Sequence, residues 1–213
     1  MRTFVRFFVT AILAASAAPM ARGAAVGPPP ASSSPLAELK KSNADIQRVV
    51  GGKRNPNWSP EAELQKTEVK KVVGGFLDFN ELSKRALARH WDTIPPPKRV
   101  EFVKTLQELV ERSYLRQVHG GAKYDLKFDK ETKDGSEASV SATLSAERSG
   151  KPIKMALEYK LLWNGERWLV YDLLTDEESL LENYRAEFNK VIAKESFDAL
   201  LKKMKTKLSE KSE

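Results

Sequence analysis

Cysteine is absent from all 213 residues. That excludes disulfide cross-links and anchoring through a lipidated N-terminal cysteine. Whatever folds must be held by its hydrophobic core. Histidine is nearly absent too. His90 and His119 lie near expected helix ends, and neither has a second ligand at useful spacing. They read as surface or helix-end residues rather than metal ligands. No internal repeat is visible. The apolar run FFVTAILAASAA (7–18) is too short to span a bilayer.

That run follows Arg2 and Arg6 and is followed by small residues, which is the pattern of a cleavable export signal over 1–25. Cleavage is expected between about Ala17 and Ala25, where several small-x-small sites compete. GPPPASSSP (27–35) places a disordered tether at 26–35, a single domain at 36–208 and a polar tail at 209–213. The formal charge is +7, and trimming removes Arg2, Arg6 and Arg22 from it. The remaining excess is spread along the chain. It suits contact with anionic lipid or acidic partners and is too diffuse to point to nucleic acid.

Helical spacing dominates the first half. Ser34-Pro35 is a cap followed by proline, and Leu36, Leu39, Asn43, Ile46 and Val50 form a stripe stopped by Gly51-Gly52. KRNPNWSP (53–60) reads as a loop. Ser59-Pro60 opens a second helix with Leu64, Val72 and Val73 inward. Asp78 and Glu81 have capping-box spacing ahead of Leu82, Leu87 and Trp91. IPPP (94–97) breaks that helix, and a long one carries Phe102 through Val118 to Gly120-Gly121.

The period then changes to two. Tyr124-Leu126-Phe128, Ala138-Val140-Ala142-Leu144-Ala146 and Ile153 through Trp163 alternate with polar residues, as half-buried strands do. Asn164-Gly165 reads as a two-residue hairpin turn. It places Trp163 opposite Glu166, Leu161 opposite Trp168, Tyr159 opposite Val170, Leu157 opposite Asp172 and Met155 opposite Leu174. The expected fold is α+β: a curved four-stranded antiparallel sheet covered by helices. The alanine-rich strand 138–146 either lets a helix approach closely or leaves a void. Asp172, expected on the apolar face, is either a structural acceptor of hydrogen bonds or a general base in a cavity.

SLLENYRAEFNKVIAKESFDALLKKMK (179–205) has helical apolar spacing and no Cys, His or Gly-rich loop. With the residues before it, WLVYDLL onwards from Trp168, it closely resembles the MlaC family of periplasmic phospholipid carriers. LARHWDTIPPPKRVEFVKTLQELVERSY (87–114) agrees with that family's helix pattern. The resemblance covers about residues 64–208. It implies an NTF2-like arrangement around an apolar cavity that takes phospholipid acyl chains, with no cofactor and no enzymatic role. It also implies a periplasmic monomer that exchanges lipid between an outer-membrane lipoprotein–porin complex and an inner-membrane ABC transporter complex. Together with the sheet reading, it makes Val140, Ala142, Leu144, Met155, Leu157, Tyr159, Leu161 and Val170 expected lipid contacts. Leu181, Tyr184 and Phe188 join them from the C-terminal helix, which closes the cavity or packs wholly on the sheet. A carrier of a hopanoid or sterol-like lipid, and an enzyme using Asp172 as base, are the alternatives.

Overall fold

A computed structural model of the chain describes residues 27–50, 60–118, 124–148 and 151–210. Helices α1 (Pro35–Val50), α2 (Pro60–Phe76) and α3 (Phe79–Leu87) come first. A 3-10 turn (Ala88–Thr93) and the long α4 (Pro96–Val118) follow. Strands β1 (Tyr124–Asp134), β2 (Glu137–Arg148), β3 (Lys151–Trp163), β4 (Trp168–Thr175) and β5 (Glu178–Ser179) form one open antiparallel sheet in sequential order. Helices α5 (Leu180–Lys194) and α6 (Phe197–Ser209) end the described chain. Gly51-Gly52, Trp58 and His119 lie outside the described residues.

The architecture is α+β, with five strands where four are expected. The extra strand arises because Asp176 and Glu177 adopt positive φ (47° and 71°) and reverse the chain. Ser179 then pairs with Leu174, and Glu178 with Thr175. Trp91 sits in the 3-10 turn rather than on α3, because Ala88 (φ 45°) ends that helix.

Helix starts follow from side chains that satisfy orphan amides. Ser34 accepts from Ala37 N (3.1 Å), Asp78 from Glu81 N (2.9 Å), Ser179 from Glu182 N (3.0 Å) and Ser196 from Ala199 N (3.1 Å). Only half of a capping box forms at α3. The Glu81 carboxylate takes Arg85 (2.6 Å), while Asp78 N donates to Val170 O (2.7 Å). That bond, with the parallel bridge between Leu77 and Val170, pins the α2–α3 junction to β4. The last residues of the expected tether belong to the packed domain. Ser33 N donates to Pro30 O (2.9 Å), Ser33 Oγ accepts from Trp168 Nε1 (3.2 Å), and Pro35 is buried.

Two hydrophobic cores lie on opposite sides of the sheet. One joins Phe79, Leu82, Phe102, Leu106, Leu181, Phe188 and Leu200 of α3, α4, α5 and α6 to Tyr171 of β4. The other joins Leu39 of α1 to Ala138, Val140, Leu161, Trp163, Trp168 and Val170 of the sheet.

The β3–β4 register differs from the expected one. Residues 164–167 form a four-residue loop in which Asn164 Oδ1 accepts from Glu166 N (3.0 Å) and Arg167 N (2.9 Å). Trp163 therefore faces Trp168, and Leu161 faces Val170. An irregularity follows, with Tyr171 as the additional residue on β4. Beyond it Asp172 faces Lys160, Tyr159 faces Leu173, Glu158 faces Leu174, and Leu157 faces Thr175. Because a strand alternates faces, a bulge reverses every later assignment. Leu173, not Asp172, shares the apolar face with Tyr159.

Candidate functional site

The long strands carry one continuous apolar face. On β2 it comprises Ala138, Val140, Ala142 and Leu144, and on β3 Met155, Leu157, Tyr159, Leu161 and Trp163. Register brings these together, since Ala142 faces Leu157, Val140 faces Tyr159, and Leu144 faces Met155. Phe128 of β1 faces Ala142, and its ring lies 6.5 Å from that of Tyr159. Val170 completes the group from β4.

The packed cluster lies toward one end of this face. There Ala138, Val140, Leu161, Trp163, Trp168 and Val170 meet Leu39, with Leu36, Phe76, Leu77, Phe128 and Tyr159 against them. Ala142 and Leu157 are buried but belong to neither cluster. The same holds for Ile46 of α1 and for Val69 and Val73 of α2. Leu126, Leu144, Ile153 and Met155 are half-buried. The environment is apolar enough that burial pushes the Tyr159 hydroxyl up to about 12.

The three expected residues from the C-terminal segment stand elsewhere. Leu181, Tyr184 and Phe188 belong to the core on the other side of the sheet. Phe188 packs edge-on to Phe102 (5.3 Å) and is stacked by Tyr184 (5.4 Å). Burial raises the Tyr184 hydroxyl to about 12. Grease at helical spacing marks a buried face without saying which layer receives it. Strand-face alternation carries that information, and helix spacing does not.

Asp172 is a structural acceptor. Its Oδ1 accepts from its neighbour Leu173 N (2.8 Å) and from Leu181 N (2.9 Å), and its Oδ2 from the Ser179 hydroxyl (2.7 Å). The carboxylate thereby holds the start of α5, where a negative charge also meets the positive end of the helix dipole. With its oxygens so engaged and α5 beside it, it is not aimed at the apolar face.

The roof was missed by sequence reasoning. Leu39, Ile46 and Val73 were visible on helical stripes, while Val69 was not singled out. Nothing local says that α1, rather than α5, lies over the alanine strand, with α2 beside it against β4. An open groove of about 460 Å³ along α6 is lined by Asp198, Leu201, Lys202, Lys205, Thr206 and Ser209. Its charged lining separates it from the apolar face. Among the described residues no group of three or more His, Cys, Asp or Glu is placed to hold a metal ion. No described helix is long and apolar enough to cross a membrane.

Fold and site define an α+β protein whose open antiparallel sheet turns one apolar face toward a two-helix roof. The chain belongs to the MlaC family: the family model described as MlaC protein matches residues 47–206. It is 21% identical over 160 residues to the intermembrane phospholipid transport system binding protein MlaC of Haemophilus influenzae, across 74% of this chain and 72% of that protein. Its fold is similar to that of a phospholipid-binding protein from Ralstonia solanacearum solved in complex with a phospholipid. There the TM-score is 0.65 and identity 20%, covering 80% of this chain and 94% of that one.

Proposed function

We propose that this protein is a periplasmic phospholipid carrier that holds acyl chains between the apolar sheet face and the α1–α2 roof. One observation carries the reading: the apolar face of β2 and β3 extends well beyond the packed cluster that fills its end. Ala142 lies where the strand offers least volume, and Leu144, Met155, Leu157 and Tyr159 surround it in the register. Val140, Leu161 and Val170 form the floor where the packed end begins. Leu181, Tyr184 and Phe188 act through the opposite core, by holding the sheet that carries this face.

The physics favours a carrier without chemistry of its own. Exposing acyl chains to water costs about 0.8 kcal/mol per methylene, on the order of 20 kcal/mol for two ordinary chains. Transfer from a bilayer into an apolar space nearly cancels that cost. A dry space of roughly 500 Å³ would itself cost about 12 kcal/mol at 24 cal/mol per Å³. Such a space is filled or collapsed rather than empty. The family membership supports exchange with an outer-membrane lipoprotein–porin complex and an inner-membrane ABC transporter complex, the carrier acting as a monomer. Residues 1–25 serve as the export signal in this reading, and the lipid-binding domain extends to about residue 208.

The test is native mass spectrometry of the gently purified mature protein. It should carry phospholipid, and Ala142→Trp should fold while carrying much less. A hopanoid or sterol-like occupant would appear in the same spectrum and redirect the reading. Protein that emerges empty and takes up nothing from phospholipid vesicles would refute it.

A further inference from the structure

We propose that α1 is a strap across the apolar sheet face and that Glu131 of β1 is the latch holding its first turn; this rests on the carrier reading. The latch is made by a β-bulge. In β1 the alternation Tyr124-Leu126-Phe128 would next put Lys130 on the apolar face. The register shifts between Phe128 and Lys130, so that Phe128 faces Ala142 but Glu131 faces Val140. The shift therefore delivers a carboxylate, not a lysine, to the side where α1 begins.

There Glu131 Oε2 accepts from the Ser34 hydroxyl (2.9 Å) and from Leu36 N (2.8 Å). A carboxylate in this position satisfies an orphan amide and meets the positive end of the helix dipole. Lys133 Nζ donates to Ser33 O (3.3 Å), and Trp168 Nε1 to Ser33 Oγ (3.2 Å). Leu36 and Leu39 pack on the filled end of the face. The N-terminal turn is thus tied by several contacts to β1 and β4.

Further along, the attachment changes character. Asn43 Oδ1 accepts from the Tyr124 hydroxyl at 3.3 Å, near the far end of β1. Between Glu131 and Tyr124 the helix passes the level of Phe128 and Leu126, where the sheet contributes the small Ala142. Ile46, on the same stripe as Leu39 and Asn43, is buried without joining the packed cluster. The helix is anchored at its first turn to β1 and β4, packs along α2, and at its other end lies over the stretch beyond the packed cluster. Undoing the Glu131 contacts frees the strap and exposes the acyl-chain space, while α3 to α6 keep their own core on the opposite side.

The experiment uses the full mature chain loaded with a fluorescent phospholipid. Transfer to phosphatidylethanolamine–phosphatidylglycerol vesicles is followed together with amide hydrogen exchange. Glu131→Ala should transfer lipid about 3- to 10-fold faster, the size expected for losing contacts at a helix N-terminus. Its loss of protection should be confined to residues 35–50. Because the chain has no cysteine, Ser34→Cys with Glu131→Cys can be joined by a short reducible thiol cross-linker. The stapled protein should stop transferring until the linker is reduced. A staple that transfers at the wild-type rate overturns the strap. Unchanged protection of α1 in Glu131→Ala, or protection lost across β2 and β3 as well, overturns the latch. If wild type takes up no phospholipid, the carrier reading fails, and hydrogen exchange in α1 still decides whether Glu131 holds it.

Discussion

Asp172 is the residue at which position and role separate. Its burial made two roles possible from sequence, and three donors within 2.9 Å decide between them. Asp172→Asn keeps one oxygen acceptor and loses the charge beside α5. It should cost about 1–3 kcal/mol in denaturant unfolding and leave lipid binding intact. An Asn variant of normal stability that binds no lipid would contradict the structural role. The buried tyrosines set an alkaline limit. Tyr159 and Tyr184 titrate near 12 in the folded chain against an ordinary value of 10, with burial as the main cause. Between those values the folded state holds protons that the unfolded state has lost. Stability is therefore undiminished by these groups below pH 10 and falls as pH rises from 10 towards 12. Tyr184→Phe should flatten that fall, read as unfolding midpoints against pH.

At the scale of single elements, α2 carries two adjacent glycines that face different surroundings. A Cβ at Gly74 would meet Gln107 Nε2 at 3.1 Å and Glu111 Oε1 at 3.3 Å. Those two side chains of α4 are themselves hydrogen-bonded at 2.7 Å, and Glu111 is buried. A Cβ at Gly75 would meet only Arg167 Nη2, at 4.0 Å. Gly75→Ala should therefore stabilise by about 0.5–1 kcal/mol through helix propensity. Gly74→Ala should gain less or lose, because the new methyl presses on the Gln107–Glu111 pair. Urea midpoints that reverse this order would show that α2 and α4 do not meet this closely. The C-terminus of α6 is closed by an arginine rather than a glycine. Arg112 of α4 donates to the carbonyls of Lys207 (3.3 Å) and Leu208 (2.5 Å), and also to Glu210 O. Helix existence and the caps at Ser34 and Asp78 were legible, because capping is settled within four residues. The Arg112 closure spans 95 residues or more and leaves no local signature.

For the molecule as a whole, the two cores divide the labour. The α3–α6 side has aromatic rings in contact, Phe102 lying 5.3 Å from Phe188 and 5.7 Å from Phe197. The α1–α2 side has a packed end, and in the proposed function the apolar stretch beyond it holds lipid. A ligand that binds only the folded state stabilises it by mass action, about 2.7 kcal/mol at a hundredfold excess over its dissociation constant. Delipidated protein should therefore melt at a lower temperature and recover on incubation with phospholipid vesicles. Ala142→Trp should melt at a temperature indifferent to vesicles. A wild-type melting point that never responds to lipid would remove the basis for a ligand-filled space.

By itself the sequence determined the α+β class, the apolar faces of β2 and β3, most helix limits and the MlaC resemblance. These depend on period, caps and motifs, all readable within a few neighbouring residues. It did not determine which sheet face received Asp172, because one additional residue at Tyr171 reverses every later side chain. Nor did it determine that Glu131 rather than Lys130 meets α1, since the β1 shift lies between residues of ordinary strand composition. The tertiary structure alone decided that α1 lies over the alanine strand and α2 against β4 while α5 packs on the opposite side. An amphipathic helix requires an apolar surface, and this sheet offers one on each side. The choice between them follows from how the chain closes, through Leu77 on Val170, Asp172 on α5 and Glu131 on α1.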